Sequence, residues 1–455
     1  MAISSTVTTT AVLLLATGAV LAQDLETLLR NMQDFNAVQV VYRGGVPHTD
    51  KNGNLLTRYD PQRSFFQIGI WGNPYGEIYG TNYDLKTLTE AGFNTMWPWP
   101  IGTFEQQLEA GKAAGLQVVY MHALDPAEAA RLKDHPNWLG NVWCDEPTGA
   151  YWGKDMEGKF AEFQEYKAKI NAAAPGRVVF INDVPWVTAP ATTWWAKWNT
   201  AGDVACHDNY PVMNRGYRSR SLGDEGSKSG IPTTTLLAAA VNQEKKPVWL
   251  IVGAFTQRGH GAFPFRFPTP MQLRAQVYAG LIHGATGIIY FCWDTYVCRD
   301  GEVMGMSPDP KVAYSPGGPG FTKPSNAKPL ELVESRALWE AARQVNTEIK
   351  ELTPSLLSPT VGEEVKYSLK TEGTAVSQSP IRCLLKPHPE GGYVLLTVNV
   401  DDAVMKVTYE FPGGLKSVQP LFENRAAFEL QPDQKTFEDM YDPFETHVYR
   451  IQPPG

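Results

Sequence analysis

Between Phe65 and Ser358 the chain alternates, eight times over, a short apolar run rich in β-branched and aromatic residues with a longer segment of helical period. This alternation constrains the fold more than any other feature. Strands separated by crossover helices pair in parallel, and a parallel sheet is covered on both faces. The runs are FFQIGIW from Phe65, FNTMWPW from Phe93, LQVVYMHA from Leu116, WLGNVWC from Trp138, RVVFIN from Arg177, DVACH from Asp203, PVWLIVG from Pro247 and GIIYFCW from Gly287. Helical stretches lie between them, among them Thr103 to Ala114, Lys159 to Ala174, Thr233 to Lys245 and Met271 to His283, and the longest follows the last run, from Pro329 to Ile349. Eight βα units predict an α/β chain closed into a (β/α)8 TIM barrel, which takes roughly 250 residues. A doubly wound open sheet is the alternative.

After Pro354 the texture changes. Short alternating segments such as KYSLK from Lys366, YVLLTV from Tyr393, VMKVTYE from Val404 and THVYRI from Thr446 are separated by Gly, Pro and Asp, which predicts a small antiparallel β-sandwich. Ser307 to Pro324 reads as a long loop after the eighth strand. The expected division is therefore a leader over 1–22, a lead-in over 23–64, the barrel over 65–358 and the sandwich over 359–455. The leader, MAISSTVTTTAVLLLATGAVLA, carries no charged side chain before Asp24 and ends on small residues, the pattern of a secretory signal peptide cut after Ala22. No later run reaches the roughly 20 apolar residues of a membrane span. The expected location is secreted or periplasmic, with no membrane association after cleavage.

A net charge of -8 without a dense Lys/Arg stripe argues against nucleic acid as a partner. The five cysteines are too scattered for a disulfide framework, although Cys292 and Cys298 are spaced to bridge a short loop. No CxxC and no His/Cys pair at zinc spacing occurs, so neither a metal nor a cofactor is expected.

In a (β/α)8 barrel the active site lies at the C-terminal ends of the strands, so the runs themselves nominate the residues of the mouth. They are Trp71, Trp97 and Trp99, His122, the pair Asp145–Glu146 in CDEP, Asn182–Asp183, then His207, Asp208 and Tyr210, and finally Trp293 and Asp294. Several tryptophans at one rim suit the apolar faces of sugar rings, while the acids and amides beside them suit hydroxyl groups. Trp71, Trp97, Trp99, His122, Asn182, His207, Tyr210, Trp293 and Asp294 are thus the expected substrate-binding set, and the expected partner is a carbohydrate. Arg258 and His260 sit in a Gly-rich loop after the seventh strand and are further candidates.

With its acidic dipeptide before Pro147 at the end of strand four, the barrel resembles glycoside hydrolases of the clan A kind, in which Asn-Glu closes that strand. Asp145 stands where those enzymes carry Asn. The Asp-Glu pair looks instead like substrate-assisted hexosaminidases, in which Asp orients an acetamido group and Glu is the acid. The resemblance implies an O-glycosidic hydrolase of a poly- or oligosaccharide with Glu146 as general acid. Such an acid must hold its proton near neutral pH, which Trp143 and Asp145 favour if they face the same pocket. The end of strand seven, VWLIVGAFTQ, lacks the acid that serves as nucleophile in the retaining enzymes of that clan. Asp208 is the favoured second carboxylate, as base or nucleophile, with Asp294 and the substrate's own acetamido group as the other routes; the expected catalytic set is Glu146, Asp145 and Asp208. A non-catalytic carbohydrate-binding barrel and a metal-dependent hydrolase on the same fold are the rival readings.

Overall fold

The computed structural model describes residues 42–454 except 74–75, 79–80, 100–101, 186–190, 214–219, 224–229, 259–264, 299–300, 308–311, 315–321, 325–328 and 363–364. The expected leader and His260 lie outside the described residues. Eight parallel strands close into a barrel: β1 (Gln67–Asn73), β2 (Thr95–Pro98), β3 (Gln117–Tyr120), β4 (Trp138–Asp145), β5 (Val178–Asn182), β6 (Ala205–Asn209), β7 (Val248–Gly253) and β8 (Gly287–Phe291), with β8 pairing back to β1. A helix follows each strand in turn: α1 (Lys86–Glu90), α2 (Phe104–Ala114), α3 (Pro126–Leu132), α4 (Met156–Ala173), α5 (Ala191–Ala201), α6 (Ile231–Val241), α7 (Pro270–Ile282) and α8 (Pro329–Leu356).

Local sequence sets the helix starts. Thr103 and Gln106 cap each other's backbone N–H groups at α2, and Thr269 with Gln272 repeat the arrangement at α7. Asp125 and Asp155 accept backbone N–H bonds at the starts of α3 and α4.

Apart from β4, whose register shifts once against β3 and once against β5, the strands obey a period of two. Trp71, Trp97, Val119, Leu139, Val142, Val178, Phe180, Cys206, Trp249, Ile251 and Ile289 fill the barrel interior, while Ile68, Ile70, Met96, Val179, Leu250, Val252 and Ile288 face the helix layer. Both faces of the sheet are dry, which is why the strands read as nearly continuous apolar runs.

Beyond the barrel, two antiparallel sheets face each other: one of β9 (Ser368–Glu372), β12 (Met405–Glu410) and β14 (Thr436–Tyr441), the other of β10 (Ile381–Pro387), β11 (Tyr393–Asn399), β13 (Ser417–Leu421) and β15 (Thr446–Gln452). Strands β13 and β14 are additions to the sequence reading. In the second sheet alternation sends Cys383, Leu385, Leu395 and Tyr449 into the sandwich, and Leu384, Leu396, Val398 and Val448 into the same core as α7 and α8. Arg274 of α7 seals the joint: its Nε donates to Glu348 of α8 at 3.0 Å and its guanidinium also bonds the Thr446 carbonyl. The sandwich is a buttress of the barrel. Two further expectations change. Cys292 is a buried free thiol, so it is not bridged to Cys298. The segment after β8 is not all loop: Thr295–Cys298, Gly301–Met304, Val312–Tyr314 and Thr322–Pro324 build a small sheet with Thr256–Arg258 over one side of the mouth.

Within the sandwich, His447 is buried beside Glu423 (2.7 Å) and Glu445 (3.4 Å). Burial opposes its charge, but the hydrogen bonds to Glu423 and Glu445 win and raise its pKa to about 9. The stability this ion contributes is present in full below the ordinary histidine value of about 6.5 and is lost as pH rises through about 9. Replacing His447 by Gln is therefore expected to cost about 1.5–3 kcal/mol at pH 6 and much less at pH 10. Denaturant melts at the two pH values test this, and an equal cost at both contradicts it.

Candidate active site

The carboxyl groups converge because β4 breaks its own alternation. Its partner positions on β5 run Val178 to Gly140, Val179 to Asn141 and Phe180 to Val142, then jump so that Asn182 faces Asp145. One extra residue is accommodated between Val142 and Asp145, a β-bulge of the kind that re-aims side chains beside active sites. Val142 points into the barrel and Trp143 points out, stacking on Trp198 at 6.1 Å. Without the bulge Asp145 would follow Trp143 outward. With it, Asp145 enters the mouth, where Asn182 Nδ2 donates to its Oδ1 at 2.9 Å.

Glu146 reaches the same space by a different device. Its backbone is left-handed (φ 48°, ψ 53°), a conformation rarely adopted by a side-chain-bearing residue. The turn leads into a short helix, Pro147–Ala150, and the Glu146 N–H donates to the Asn182 carbonyl at 2.8 Å. Pro147 ends the strand, as its sequence position indicates, but the left-handed backbone of Glu146 is what brings its side chain to the site that the bulge opens to Asp145.

Asn182 and Asp208 arrive by ordinary parity, one step beyond Phe180 and Cys206 on the inward faces of β5 and β6. The Asn182 amide donates to Asp208 Oδ1 at 2.9 Å as well as to Asp145, so it bridges the two carboxylates. Its orientation is fixed from behind by the Cys206 thiol, which donates to its Oδ1 at 3.6 Å. Glu146 and Asp208 lie close enough to act on each other's protonation.

The electrostatics follow from this crowding. Glu146 is pushed far above the usual carboxylate range, first by desolvation and then by the charges of Asp208, Asp145 and Asp183. Asp208 and Asp145 are raised too, chiefly by desolvation, with the Asn182 amide restraining both. Asp145 is exposed at the strand end, whereas Asn182 and Asp208 behind it are buried. The cluster is an acid that keeps its proton beside a carboxylate that gives its own up more readily. Trp143 plays no part in this, since its ring lies on the outer face.

The other residues expected at the mouth divide. Trp97 is fully buried at the barrel centre, edge-on to Phe180 and Trp249 at 5.5 and 6.4 Å, and its expected role in stacking on substrate is withdrawn. Trp71, level with it and 5.2 Å away, is buried in the same interior cluster, so its expected face for substrate is withdrawn as well. Strand tilt makes equal distances along the sequence into unequal depths in the barrel. His207 is likewise corrected: its parity is outward, its ring meets Trp195 and Thr235, and burial lowers its pKa to about 3, which makes it a neutral core residue. Trp293 is mostly buried in the cluster holding Met304 and Met306. Asp294 is buried at the end of β8, where its Oδ1 accepts the Thr295 N–H at 2.7 Å and burial holds its pKa well above the ordinary range. His122 is exposed at the end of β3 near Tyr120.

Trp99 and Tyr210 remain partly exposed at the mouth. Gly72 (φ +75°) leaves room for Trp99: a Cβ there would lie 3.2 Å from the indole. Tyr210 stacks on Phe291 at 5.5 Å and meets Phe265 edge-on, so Phe265 and Phe291 extend an aromatic wall that sequence reasoning missed. Phe291 was findable, as the inward-parity end of β8. Tyr210 also covers the end of β7, where the inward position is Gly253; a Cβ there would stand 3.1 Å from the Tyr210 ring. The acid missing from strand seven is thus replaced by a glycine under a tyrosine. Asp183, present in the strand-end list without a role, is fully buried and accepts both the N–H (3.2 Å) and the hydroxyl (2.5 Å) of Thr148.

Fold and site together define a (β/α)8 barrel with a β-sandwich buttress and a carboxyl cluster at the C-terminal ends of β4, β5 and β6. Among the described residues no group of His, Cys, Asp and Glu is arranged to hold a metal ion, and no helix is long and apolar enough to cross a membrane. No family model and no curated protein matches the sequence. Among solved structures, the chain is similar to a protein described as a glycoside hydrolase, at 13% identity and TM-score 0.49 over 91% of this chain and 98% of that one. It is also similar to a catalytic mutant of a family 42 β-galactosidase from G. stearothermophilus (9%, TM-score 0.46, 84% and 98% of the two chains). A third is a family 5 glycoside hydrolase from Bacteroides vulgatus (13%, TM-score 0.45, 91% and 95%).

Proposed function

We propose that the protein is an exported glycoside hydrolase that cleaves O-glycosidic bonds of a poly- or oligosaccharide with retention of anomeric configuration. The observation that carries this reading is the convergence of Glu146, Asp145 and Asp208 at the strand ends, where the Asn182 amide bridges the two aspartates and Asp208 leads the charges acting on Glu146. Inverting enzymes hold their two carboxyls about 6.5–9.5 Å apart to admit a water, whereas retaining enzymes hold them at about 5–5.5 Å. Glu146 and Asp208 act directly on each other's titration, which favours the closer arrangement. Glu146 donates its proton to the glycosidic oxygen as the C–O bond breaks, and an Asp208 oxygen attacks the anomeric carbon. Glu146, now ionised, takes a proton from water as that water displaces Asp208. Asp145, held by Asn182 and open to solvent, binds a hydroxyl of the same sugar, and Trp99 and Tyr210 offer faces for its ring. A second reading, in which Asp145 steers a substrate acetamido group that attacks in place of Asp208, is favoured by that same solvent access and also retains configuration; it requires a 2-acetamido sugar.

The test is hydrolysis of a panel of 4-nitrophenyl glycosides and polysaccharides, with and without a chelator, with the first-formed anomer followed by proton NMR. Turnover that ignores the chelator and gives the retained anomer is expected. Binding without cleavage across the panel supports the carbohydrate-binding rival, and activity lost to a chelator and restored by a divalent ion supports the metal-dependent one. Cleavage of 2-acetamido sugars alone selects the assisted route. For export, the mature chain in the secreted fraction is expected to begin at Gln23.

A further inference from the structure

A left-handed backbone is unfavourable for a residue that carries a Cβ, so the structure around Glu146 must hold it. Four hydrogen bonds bracket the turn. The Glu146 N–H is bonded to the Asn182 carbonyl, the Ala150 N–H closes on the Glu146 carbonyl at 2.9 Å, and Thr148, two residues on, is gripped by Asp183 through both its N–H and its hydroxyl. Asp183 is itself immobile: it is fully buried, its backbone N–H donates to the Cys206 carbonyl, and its carbonyl accepts the Trp195 indole N–H at 3.2 Å. The short helix Pro147–Ala150 has too few internal bonds to keep its own shape. Its anchorage is the grip on Thr148.

We propose that Asp183, acting through Thr148, is the positioning residue that locks the Glu146 turn and so keeps the Glu146 carboxyl against Asp208. The role of Glu146 as an acid rests on the proposed function; the clamp does not. Burial raises Asp183 to about 8 despite the two bonds that Thr148 donates, one to each of its oxygens. An asparagine keeps both contacts: its Oδ1 accepts the Thr148 N–H and its Nδ2 donates to the Thr148 hydroxyl oxygen.

Three variants test the clamp on the full chain, with an alkyl glycoside or the best polysaccharide of the panel as substrate, because departure of such a leaving group needs the Glu146 proton. Thr148→Val keeps the shape and removes the hydroxyl; it is expected to lower kcat about 100-fold with KM little changed, the scale of a misplacement of about 1 Å. Thr148→Ser and Asp183→Asn are expected to stay close to native. A readout independent of substrate is the titration of Glu146 followed by NMR of its 13C-labelled Cδ, assigned with Glu146→Gln. In Thr148→Val it should fall toward the ordinary glutamate range, because the carboxyl leaves its acidic neighbours, and in Thr148→Ser it should not. Native kcat and native titration in Thr148→Val overturn the clamp, as does an Asp183→Asn or Thr148→Ser variant as impaired as the valine. If the native chain cleaves nothing on the panel, the enzymatic reading fails and the titration alone decides the clamp. Should Thr148→Val not fold, the native protein still answers: as pH passes about 8 the Thr148 amide and Glu146 Cδ signals are expected to shift together, and independent movement rejects the coupling.

Discussion

Glu146→Gln is expected to lower kcat by about 10³-fold on substrates with poor leaving groups, within the 10²–10⁴ that a positioned general acid supplies. On 4-nitrophenyl glycosides the formation of the glycosyl-enzyme should suffer far less, because that leaving group departs without a proton. The same variant is expected to be more stable than the native protein above neutrality. Glu146 is held well above its ordinary pKa by desolvation and by Asp208, Asp145 and Asp183, so the native fold binds a proton that the unfolded chain releases. Stability linked to that proton is complete below the ordinary glutamate value of about 4.3 and drains away as pH rises. Glutamine cannot ionise and keeps a donor toward Asp208. Thermal melts should separate the two proteins at pH 8 and bring them together near pH 4. A glutamine variant with native turnover on alkyl glycosides, or one whose stability gain is independent of pH, contradicts the assignment.

Asp208→Asn is expected to have the larger effect on turnover, on the order of 10⁴–10⁶, the scale on which loss of a nucleophile is measured. Azide added to the variant should restore turnover by attacking from the vacated side, releasing a glycosyl azide of inverted configuration. If Asp208 serves only to hold up the pKa of Glu146, the outcome differs in kind. Turnover then falls modestly, the alkaline limb of the pH profile moves down because one carboxylate beside Glu146 is gone, and azide does nothing. On the acetamido route the loss is also modest, and Asp145→Asn becomes the damaging change. The three outcomes separate nucleophile, modulator and bystander.

Much of the site was legible in the order of residues, for a reason that Asp208 and Asn182 illustrate. Both stand at strand ends and both share the inward parity of apolar residues two positions earlier, Cys206 and Phe180. Once the barrel is accepted, a period of two carries them into the mouth. Parity also condemns His207, whose inward neighbours on either side leave it the outer face, so the rule that found Asp208 would have removed the histidine had it been applied to each residue. Trp97 failed for another reason. Its depth depends on strand tilt and on Phe180 and Trp249, two rings from distant strands that close over it.

Asp145 and Glu146 mark the boundary between the two kinds of information. By alternation alone they point to opposite faces, and their cooperation requires a bulge after Val142 and a left-handed residue before Pro147. Neither device is written in the β4 segment. Each is held by partners on β5, where Asn182 takes the Glu146 N–H and the Asp145 carboxylate and Asp183 takes Thr148. Sequence periodicity by itself determined the eightfold barrel, the sandwich and the end of the barrel at which polar residues collect, because hydrophobic burial reads the pattern of side chains directly. Only the tertiary structure decided which carboxyls touch, because bond-by-bond aim at a strand end is set by hydrogen bonds to neighbours about 37 residues away in the chain, where no local pattern reaches.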